Sequence, residues 1–304
     1  MTSPTKSLFC FGVGFSARHV IQRLDRNVWH IAGTSTSPDG ASALTRDGIE
    51  SYVFDGSTAV PGVAEAVGRA SHILVSAPPG ADGDPVLLNH SDDIRAAPHL
   101  EWIGYLSTIG VYGDRGGDWV DETFEAAPTS RRSRFRASAE AAWLELARHR
   151  EAVRCRVFRL AGIYGRGRSA IDTVLSGRAR RIVKPGQMFN RIHVEDIARI
   201  VEASMAGRGQ EAIVNVTDNE PAPPQDVIAY AAELLQAPMP PEVAFEDADL
   251  SPMAQSFYAE SKRVRNGRIS ADLGLDLLYP TYREGLAAIA ADYAAVSPSL
   301  AGRT

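Results

Sequence analysis

Apolar and polar positions alternate along this chain in blocks of two different periods. Short apolar runs at Leu8 to Phe11, Trp29 to Gly33, Ser51 to Phe54, Ile73 to Ser76, Trp102 to Leu106 and Arg154 to Arg159 read as strands. Between them lie segments of helical period: Ser16 to Leu24, Ala41 to Arg46, Val60 to Arg69, Pro85 to Ala96 and a long one from Arg131 to Arg150. In the long segment Phe135, Ala139, Ala142 and Leu146 fall on one face and predict a stripe against the core. Such alternation predicts an α/β fold, a doubly wound parallel sheet built from six βα units. After Gly165 the texture changes, with "GIYGRGRSA", the Pro-rich turn "EPAPP" and the stretch "QAPMPPEVAFEDADLSP". The predicted division is a Rossmann domain over residues 1–165 and a smaller C-terminal lobe over residues 166–304. Segments near 194–220, "ARIVEASMAG" and "AIVNVTDNE", read as a helix and a strand that return to the sheet. The sequence shows no internal repeat.

At 304 residues and 44% hydrophobic content the chain has ample material for a core. A formal net charge of -5 argues against a nucleic-acid partner, because such partners select a basic face that neutralises phosphates. The two cysteines, Cys10 and Cys155, each lie inside an apolar run, which predicts core residues of a reducing, cytoplasmic protein. Neither has neighbouring ligands for a metal, so no metal site is expected. No apolar run approaches the ~18 residues of a membrane span, so no membrane partner is expected. The first apolar segment is short and ends in two glycines, unlike a signal peptide.

Those glycines belong to "SLFCFGVGFSARHV", residues 7–20, where Gly12, Gly14 and Ala17 have GxGxx(G/A) spacing. A dinucleotide loop needs the first glycine for a tight turn, the second so that backbone can approach a pyrophosphate, and a small third residue for close helix packing. Backbone N–H groups of the helix start, at Phe15, Ser16 and Ala17, then face the phosphates. The motif alone is weak; a strand before it, a helix after it and further βα units behind make it a dinucleotide site. After the second strand, where an acid usually meets the ribose of NAD, the chain reads "GTSTS". Thr34, Ser35 and Thr36 leave room for a 2′-phosphate, although no arginine stands there to hold it. The cofactor read from this loop is NAD(P), tilted slightly to NADP. Asp55, ending the third strand, either accepts from the adenine amino group or makes a turn. Ala77 and Pro78, after the fourth strand, complete the expected cofactor contacts.

At "YLSTIGVYGD", residues 105–114, the sequence resembles the extended and atypical short-chain dehydrogenase/reductases, the NAD-dependent epimerase/dehydratase group. The resemblance continues through "VDETFEAAPTS", "FRLAGIYGRGRS", "FNRIHVEDIA", "IVNVTDNEPAPP" and "SKRVRNGRISADLGL". With "YPTYREGL" it points to a bacterial branch of nucleoside-diphosphate-sugar epimerase-like proteins. The resemblance implies that Thr108, with Ser107 beside it, hydrogen-bonds the reacting oxygen of the substrate; the alternative is that these hydroxyls satisfy backbone at a strand end. It also implies a Tyr and a Lys at i and i+4 on the next helix, the Tyr acting as acid or base. Aligning "SAEAAW" on the family pattern puts Arg132 in the tyrosine slot and Arg136 in the lysine slot, so that pair is absent.

A guanidinium cannot shuttle protons at neutral pH, which rules out Arg132 as a replacement base. Arg136 can still hold the cofactor ribose, or it belongs with Arg131, Arg132 and Arg134 to a solvated face. Tyr112 is the first candidate for the missing acid and Tyr164 the second, both against a packing role. His193 in "RIHVED" reads as a structural residue starting a helix. Arg166, Arg168, Lys184 and Arg191 fall where a cleft beyond the sheet's edge would receive an anionic or nucleotide-linked sugar substrate, with plain surface charge as the alternative. Two functions follow: an oxidoreductase or epimerase/dehydratase-like enzyme acting on a carbonyl or hydroxyl carbon, or a non-catalytic NADP(H) sensor. The homodimer that such enzymes form is left open.

Overall fold

The sheet strands arise from apolar runs that can be buried on both faces, as parallel strands under two helical layers must be. A computed structural model describes residues 6–296. Its first half reads β1 (Lys6–Phe11), α1 (Phe15–Arg23), β2 (Trp29–Ser35), α2 (Pro38–Arg46), β3 (Glu50–Val53), α3 (Pro61–Arg69), β4 (His72–Val75), α4 (Pro85–Ala96), β5 (Trp102–Thr108), β6 (Trp119–Val120) and α5 (Arg131–Arg148). There follow β7 (Arg154–Leu160), β8 (Gly162–Tyr164), α6 (Ala170–Leu175), β9 (Arg181–Val183), β10 (Arg191–His193), α7 (Val194–Met205) and β11 (Ile213–Val216). The chain ends in α8 (Pro224–Leu234), β12 (Glu242–Ala244), α9 (Pro252–Tyr258), β13 (Arg263–Val264), α10 (Gly267–Ala271) and α11 (Tyr282–Val296).

Seven parallel strands form the main sheet in the order β11-β7-β5-β4-β1-β2-β3. The six expected strands are all present, and β11 adds a seventh beside β7, where the returning segment was expected. From β1 the chain runs outward first through β2 and β3 and then, on the other side, through β4, β5 and β7. That reversal opens a crevice above the carboxyl ends of β1 and β4.

Side-chain alternation in β1 splits the core in two. Leu8 and Cys10 join Ala17, Val20 and Ile21 of α1 and Ile197, Ala198 and Val201 of α7. Phe9 and Phe11 point the other way, into α3, α4 and α5 through Val67, Ile94 and Trp143. All four β1 side chains are fully buried, each worth roughly 1.5–3 kcal/mol for a large apolar group. Both cysteines are free, and burial pushes their thiols up to about 12.

The buried face of α5 differs from the expected stripe. Ala139 and Leu146 are buried, but Ala142 is exposed and Trp143 takes its place. The indole decides the rotation: its N–H donates to Asp84 Oδ2 at 3.0 Å, and its ring stacks on Tyr105 with centroids 6.1 Å apart.

Beyond β7, a third core forms between α6, α8 and α11 around Tyr164, Ile171, Val227, Tyr282 and Leu286. Three two-stranded parallel pairs, β8 with β10, β9 with β12 and β6 with β13, tie this lobe together and to the loop after β5. The segment before β13 is anchored by Lys262, whose buried ammonium donates to Gly113 O and Glu260 Oε2, both at 2.6 Å. Among the described residues no helix is long and apolar enough to cross a membrane.

Candidate functional site

The glycine loop joins β1 to α1 at the crevice. Gly12 has φ of +83°, a conformation that L side chains avoid, and a Cβ there would stand 3.2 Å from Ala77 N. Both facts require glycine. Gly14 is different: its φ is ordinary, and a Cβ would meet nothing within 4 Å. The direction a Gly14 side chain would take is therefore open space. Gly14 caps α1 without a side-chain hydrogen bond, no acid stands in the first turn, and the first backbone bond of the helix is Arg18 N–H to Gly14 O at 3.0 Å. An N-terminus left in this state presents N–H donors and the positive end of a helix dipole to an anion. Ala17 is fully buried against α7, the close packing that the third motif position serves. Ser16 is buried as well, so only its backbone faces the crevice.

Thr34 departs from its expected role. It is 2% exposed, its Oγ1 accepts from Gly12 N–H at 2.9 Å, and its carbonyl accepts from Val13 N–H at 2.9 Å. It props the glycine loop, and its burial withdraws the hydroxyl from a 2′-phosphate. Ser35 is half-buried and Thr36 is exposed, and these two remain at the end of β2. Asp55 is exposed and folds an Asx turn, accepting from Ser57 N–H at 2.9 Å and Ser57 Oγ at 2.6 Å. Hydrogen bonds from Ser57 hold its carboxyl below the usual range, and only Oδ1 is used. Ala77 N–H donates to Phe11 O at 3.1 Å, and Pro78 beyond it is exposed.

The carboxyl end of β5 carries the remaining residues. Thr108 starts a short 3-10 turn, its Oγ1 accepting from Gly110 N–H at 3.1 Å. Ser133 of α5 reaches the same glycine: a Cβ on Gly110 would stand 2.7 Å from Ser133 Oγ and 3.4 Å from Thr108 Oγ1. The sequence reading missed Ser133, whose only signal is its place one residue past the tyrosine slot. Ser107 turns inward and donates to the buried Glu140, which pairs with Arg159 at 2.8 Å. It therefore braces β5 against α5, and its hydroxyl proton is not offered to a substrate or to a cofactor.

Arg136 uses Nη1 to hold Leu106 O at 2.8 Å and Tyr105 Oη at 3.2 Å, and it is half-buried. This fixes a positive charge at the end of β5. Arg132 is exposed and lies over the ring of Phe257 in α9, 5.7 Å from its centroid.

Tyr112 does not stand ready as an acid. It is 0% exposed, its phenol donates to Asn215 Oδ1 at 2.8 Å, and the Arg159 guanidinium lies 4.8 Å over its ring. Burial raises its pKa further. The chain turns inward at the 3-10 turn, which makes Tyr112 a packing residue. His193 caps α7, accepting from Glu195 N–H at 3.2 Å, and burial pushes its pKa down to about 4. That is the structural role expected of it.

The four basic residues expected to receive substrate disperse. Arg166 stacks on Tyr293 at 5.0 Å, on the outside of α11. Lys184 donates to Tyr258 O and packs on Phe245, tying β9 to α9. Neither lines a cavity, because each has found a partner within the lobe. Arg168 lies 5.7 Å over the ring of Phe15, beside the start of α1, which brings it to the glycine loop. Only Arg191 lines the cavity of about 300 Å³ enclosed by the C-terminal lobe, together with Tyr164, which has a buried phenol without a partner.

Against known proteins, no family model matches the chain. The curated protein YeeZ of Escherichia coli K12 is 23% identical over 283 residues, covering 90% of this chain and 97% of its own. UDP-glucuronic acid 4-epimerase from Bacillus cereus, solved in complex with NAD, superposes with a TM-score of 0.71 at 16% identity, covering 94% of this chain and 98% of its own. A functionally unknown conserved protein from Silicibacter pomeroyi is 48% identical with a TM-score of 0.84, covering 95% of this chain and 99% of its own. The Bacillus cereus epimerase shares the doubly wound α/β, Rossmann-like fold, and the chain belongs to the family of the Silicibacter pomeroyi protein.

Proposed function

We propose that the chain binds a nicotinamide dinucleotide, NAD(P), across the crevice above β1 and β4, and acts on a carbonyl or hydroxyl carbon of a small-molecule substrate. The observation that carries this reading is the start of α1: an uncapped helix N-terminus behind a glycine whose side-chain direction is empty. The Bacillus cereus epimerase of the same fold holds NAD, which supports a dinucleotide here. The division near residue 165 into a dinucleotide-binding part and a substrate lobe, a cytoplasmic location and a homodimer belong to the same proposal.

In this reading Gly12, Gly14 and the N–H groups of Phe15, Ser16 and Ala17 hold the pyrophosphate, with Arg168 beside them. Ser35, Thr36 and the free oxygen of Asp55 face the adenosine end. The lack of an acid after β2 keeps the slight preference for NADP. A bound nicotinamide supplies or accepts a hydride. The Thr108 hydroxyl orients the reacting oxygen, Ser133 lies beside it, and Arg136 holds a fixed positive charge at the end of β5.

Proton transfer is the weak point of this site. Arginine side chains are hydrogen-bond donors and do not serve as acid or base, and Tyr112 is committed to Asn215. Hydroxyls and water must carry the proton, without the ~10²- to 10⁴-fold help that a positioned acid or base gives. This supports an oxidoreductase or nucleotide-sugar epimerase/dehydratase-like protein of low turnover. The same arginines favour a second reading, a non-catalytic NADP(H) sensor. Steady-state NADPH consumption with simple aldehydes and ketones separates them. Turnover that falls at least tenfold in Thr108→Ala supports the enzyme, whereas tight NADPH binding with no consumption under any condition supports the sensor.

A further inference from the structure

The C-terminal lobe encloses a cavity of about 300 Å³ between α6, α8, α11, β9 and β10. No residue of the glycine loop, β5 or α5 lines it. Its lining includes Arg191, a half-buried cation held unlike the buried arginines and lysine of the molecule. Arg159 pairs with Glu140 at 2.8 Å, Arg156 with Asp272 at 3.2 Å and Lys262 with Glu260 at 2.6 Å. Arg191 has no such partner among the described residues. Its Nη1 donates to two carbonyls, Phe189 O at 3.0 Å and Ala222 O at 3.1 Å, and its guanidinium sits 5.9 Å from the rings of both Phe189 and Tyr282. The group is held rigid, and its charge is left unneutralised.

Two more polar atoms nearby lack partners. Tyr164 is 7% exposed and lines the cavity, with its phenol oxygen buried and unbonded. Asp218 is 1% exposed, and its Oδ2 is likewise unbonded, while its backbone N–H donates to Arg191 O at 2.7 Å. Burial pushes the Asp218 carboxyl up to about 8, so at neutral pH it is largely uncharged and does not cancel Arg191. Buried polar groups in native proteins are nearly always satisfied, so a guanidinium at the cavity wall with only one nitrogen engaged points to an anion that fills it.

We propose that this cavity binds a compact carboxylate with an apolar or aromatic body. The carboxylate meets Arg191, whose remaining N–H groups form the planar donor set that suits a carboxylate. The body lies among the rings of Tyr258 and Tyr282 and the aliphatic side chains of Val227 and Ile228. Arg180 also lines the cavity but is exposed, which leaves Arg191 as the one cation of the lining withdrawn from solvent, and a carboxylate is favoured over a phosphate monoester because a monoester carries about 1.5 to 2 charges. The ligand is compact because the cavity stands at the lower end of the ~300–1,000 Å³ range of ligand pockets. The proposal rests on the cavity and its charges and is independent of the dinucleotide reading.

The test is calorimetric titration of the full chain with 3-phenylpropionate, 3-phenylpropanol, phenyl phosphate and UDP-glucose, using wild type, Arg191→Gln, Ile228→Trp and Gly14→Val. The expected result is that the acid binds wild type at least tenfold tighter than the alcohol, and that Arg191→Gln erases the margin. Ile228→Trp, which fills the cavity from a half-buried position on α8, should abolish binding of both and keeps the test open if Arg191→Gln does not fold. Gly14→Val should bind the acid as wild type does. Equal affinity for acid and alcohol, stronger binding of phenyl phosphate, acid binding that persists in Ile228→Trp, or no acid binding at millimolar concentration would each overturn the proposal. UDP-glucose binding that is lost in Ile228→Trp would overturn the compact ligand. Loss of NADPH binding with retained acid binding contradicts only the dinucleotide reading.

Discussion

Thr34→Val separates two roles for one hydroxyl. Valine keeps the shape of threonine and the backbone carbonyl that receives Val13 N–H, but it removes the Oγ1 that accepts from Gly12 N–H at 2.9 Å. Thr34 is almost wholly buried, so no water replaces the lost acceptor. Leaving a buried N–H unpaired costs about 1–3 kcal/mol, and the extra apolar methyl pulls the net toward the low end. At about 2–4 °C per kcal/mol, the melting temperature should fall by roughly 2–6 °C. The glycine loop should loosen with it, and affinity for NADPH and NADH should fall together, by the same factor within about threefold, or ~0.6 kcal/mol. Thr34→Ser, which restores the hydroxyl, should recover most of both losses. Scanning calorimetry and parallel titrations with the two cofactors measure this. An unchanged melting temperature together with loss of NADPH affinity alone would show that the hydroxyl touches the 2′-phosphate and does not support the loop.

Four further substitutions bear on the rest of the molecule. Tyr112→Phe leaves Asn215 Oδ1 without its donor, so urea denaturation should show a loss of about 1–3 kcal/mol while cofactor affinity and any turnover stay as in wild type; a tenfold fall in turnover would restore Tyr112 as the acid. Arg136→Ala removes the charge held at Leu106 O and should weaken NADPH binding about tenfold, or ~1.4 kcal/mol, whereas Arg132→Ala should change it little; equal effects in titration would mean that the two arginines form one solvated face. Asp218 has a folded-state pKa raised from 3.8 to about 8, so the native state binds the extra proton between those values. Its contribution to stability is full below about pH 4 and lost as pH rises through about 8, so Asp218→Asn should gain on wild type in urea midpoint across that window. A constant difference between the two would contradict it.

The βα alternation was legible because strands buried on both faces must be apolar runs, and because the GxGxx(A) loop has few other uses between a strand and a helix. What escaped the sequence was side-chain direction. Ser107, Thr34 and Tyr112 each follow or end a strand and carry a hydroxyl, and each turns inward onto a partner distant in sequence: Glu140, Gly12 and Asn215. Only the parallel register, with Cys10 opposite Gly33, brings the Thr34 hydroxyl to the loop. On α5 a period count favours Ala142, but burying the Trp143 indole outweighs burying a methyl group, so the helix turns toward Asp84. The cavity of the C-terminal lobe draws on residues from Tyr164 to Leu286, and no local pattern unites them.

The most direct test of the dinucleotide site is titration of wild type and Gly14→Val with NADPH and NADH, with circular dichroism confirming the fold of each. Gly14 has an ordinary backbone conformation and open space where a side chain would go, so valine should leave the protein folded and fill the space that the pyrophosphate requires. The expected result is binding to wild type and a loss of at least tenfold, or ~1.4 kcal/mol, for both cofactors in the variant. Unchanged affinity in a folded Gly14→Val protein would contradict the assignment of the dinucleotide to this loop.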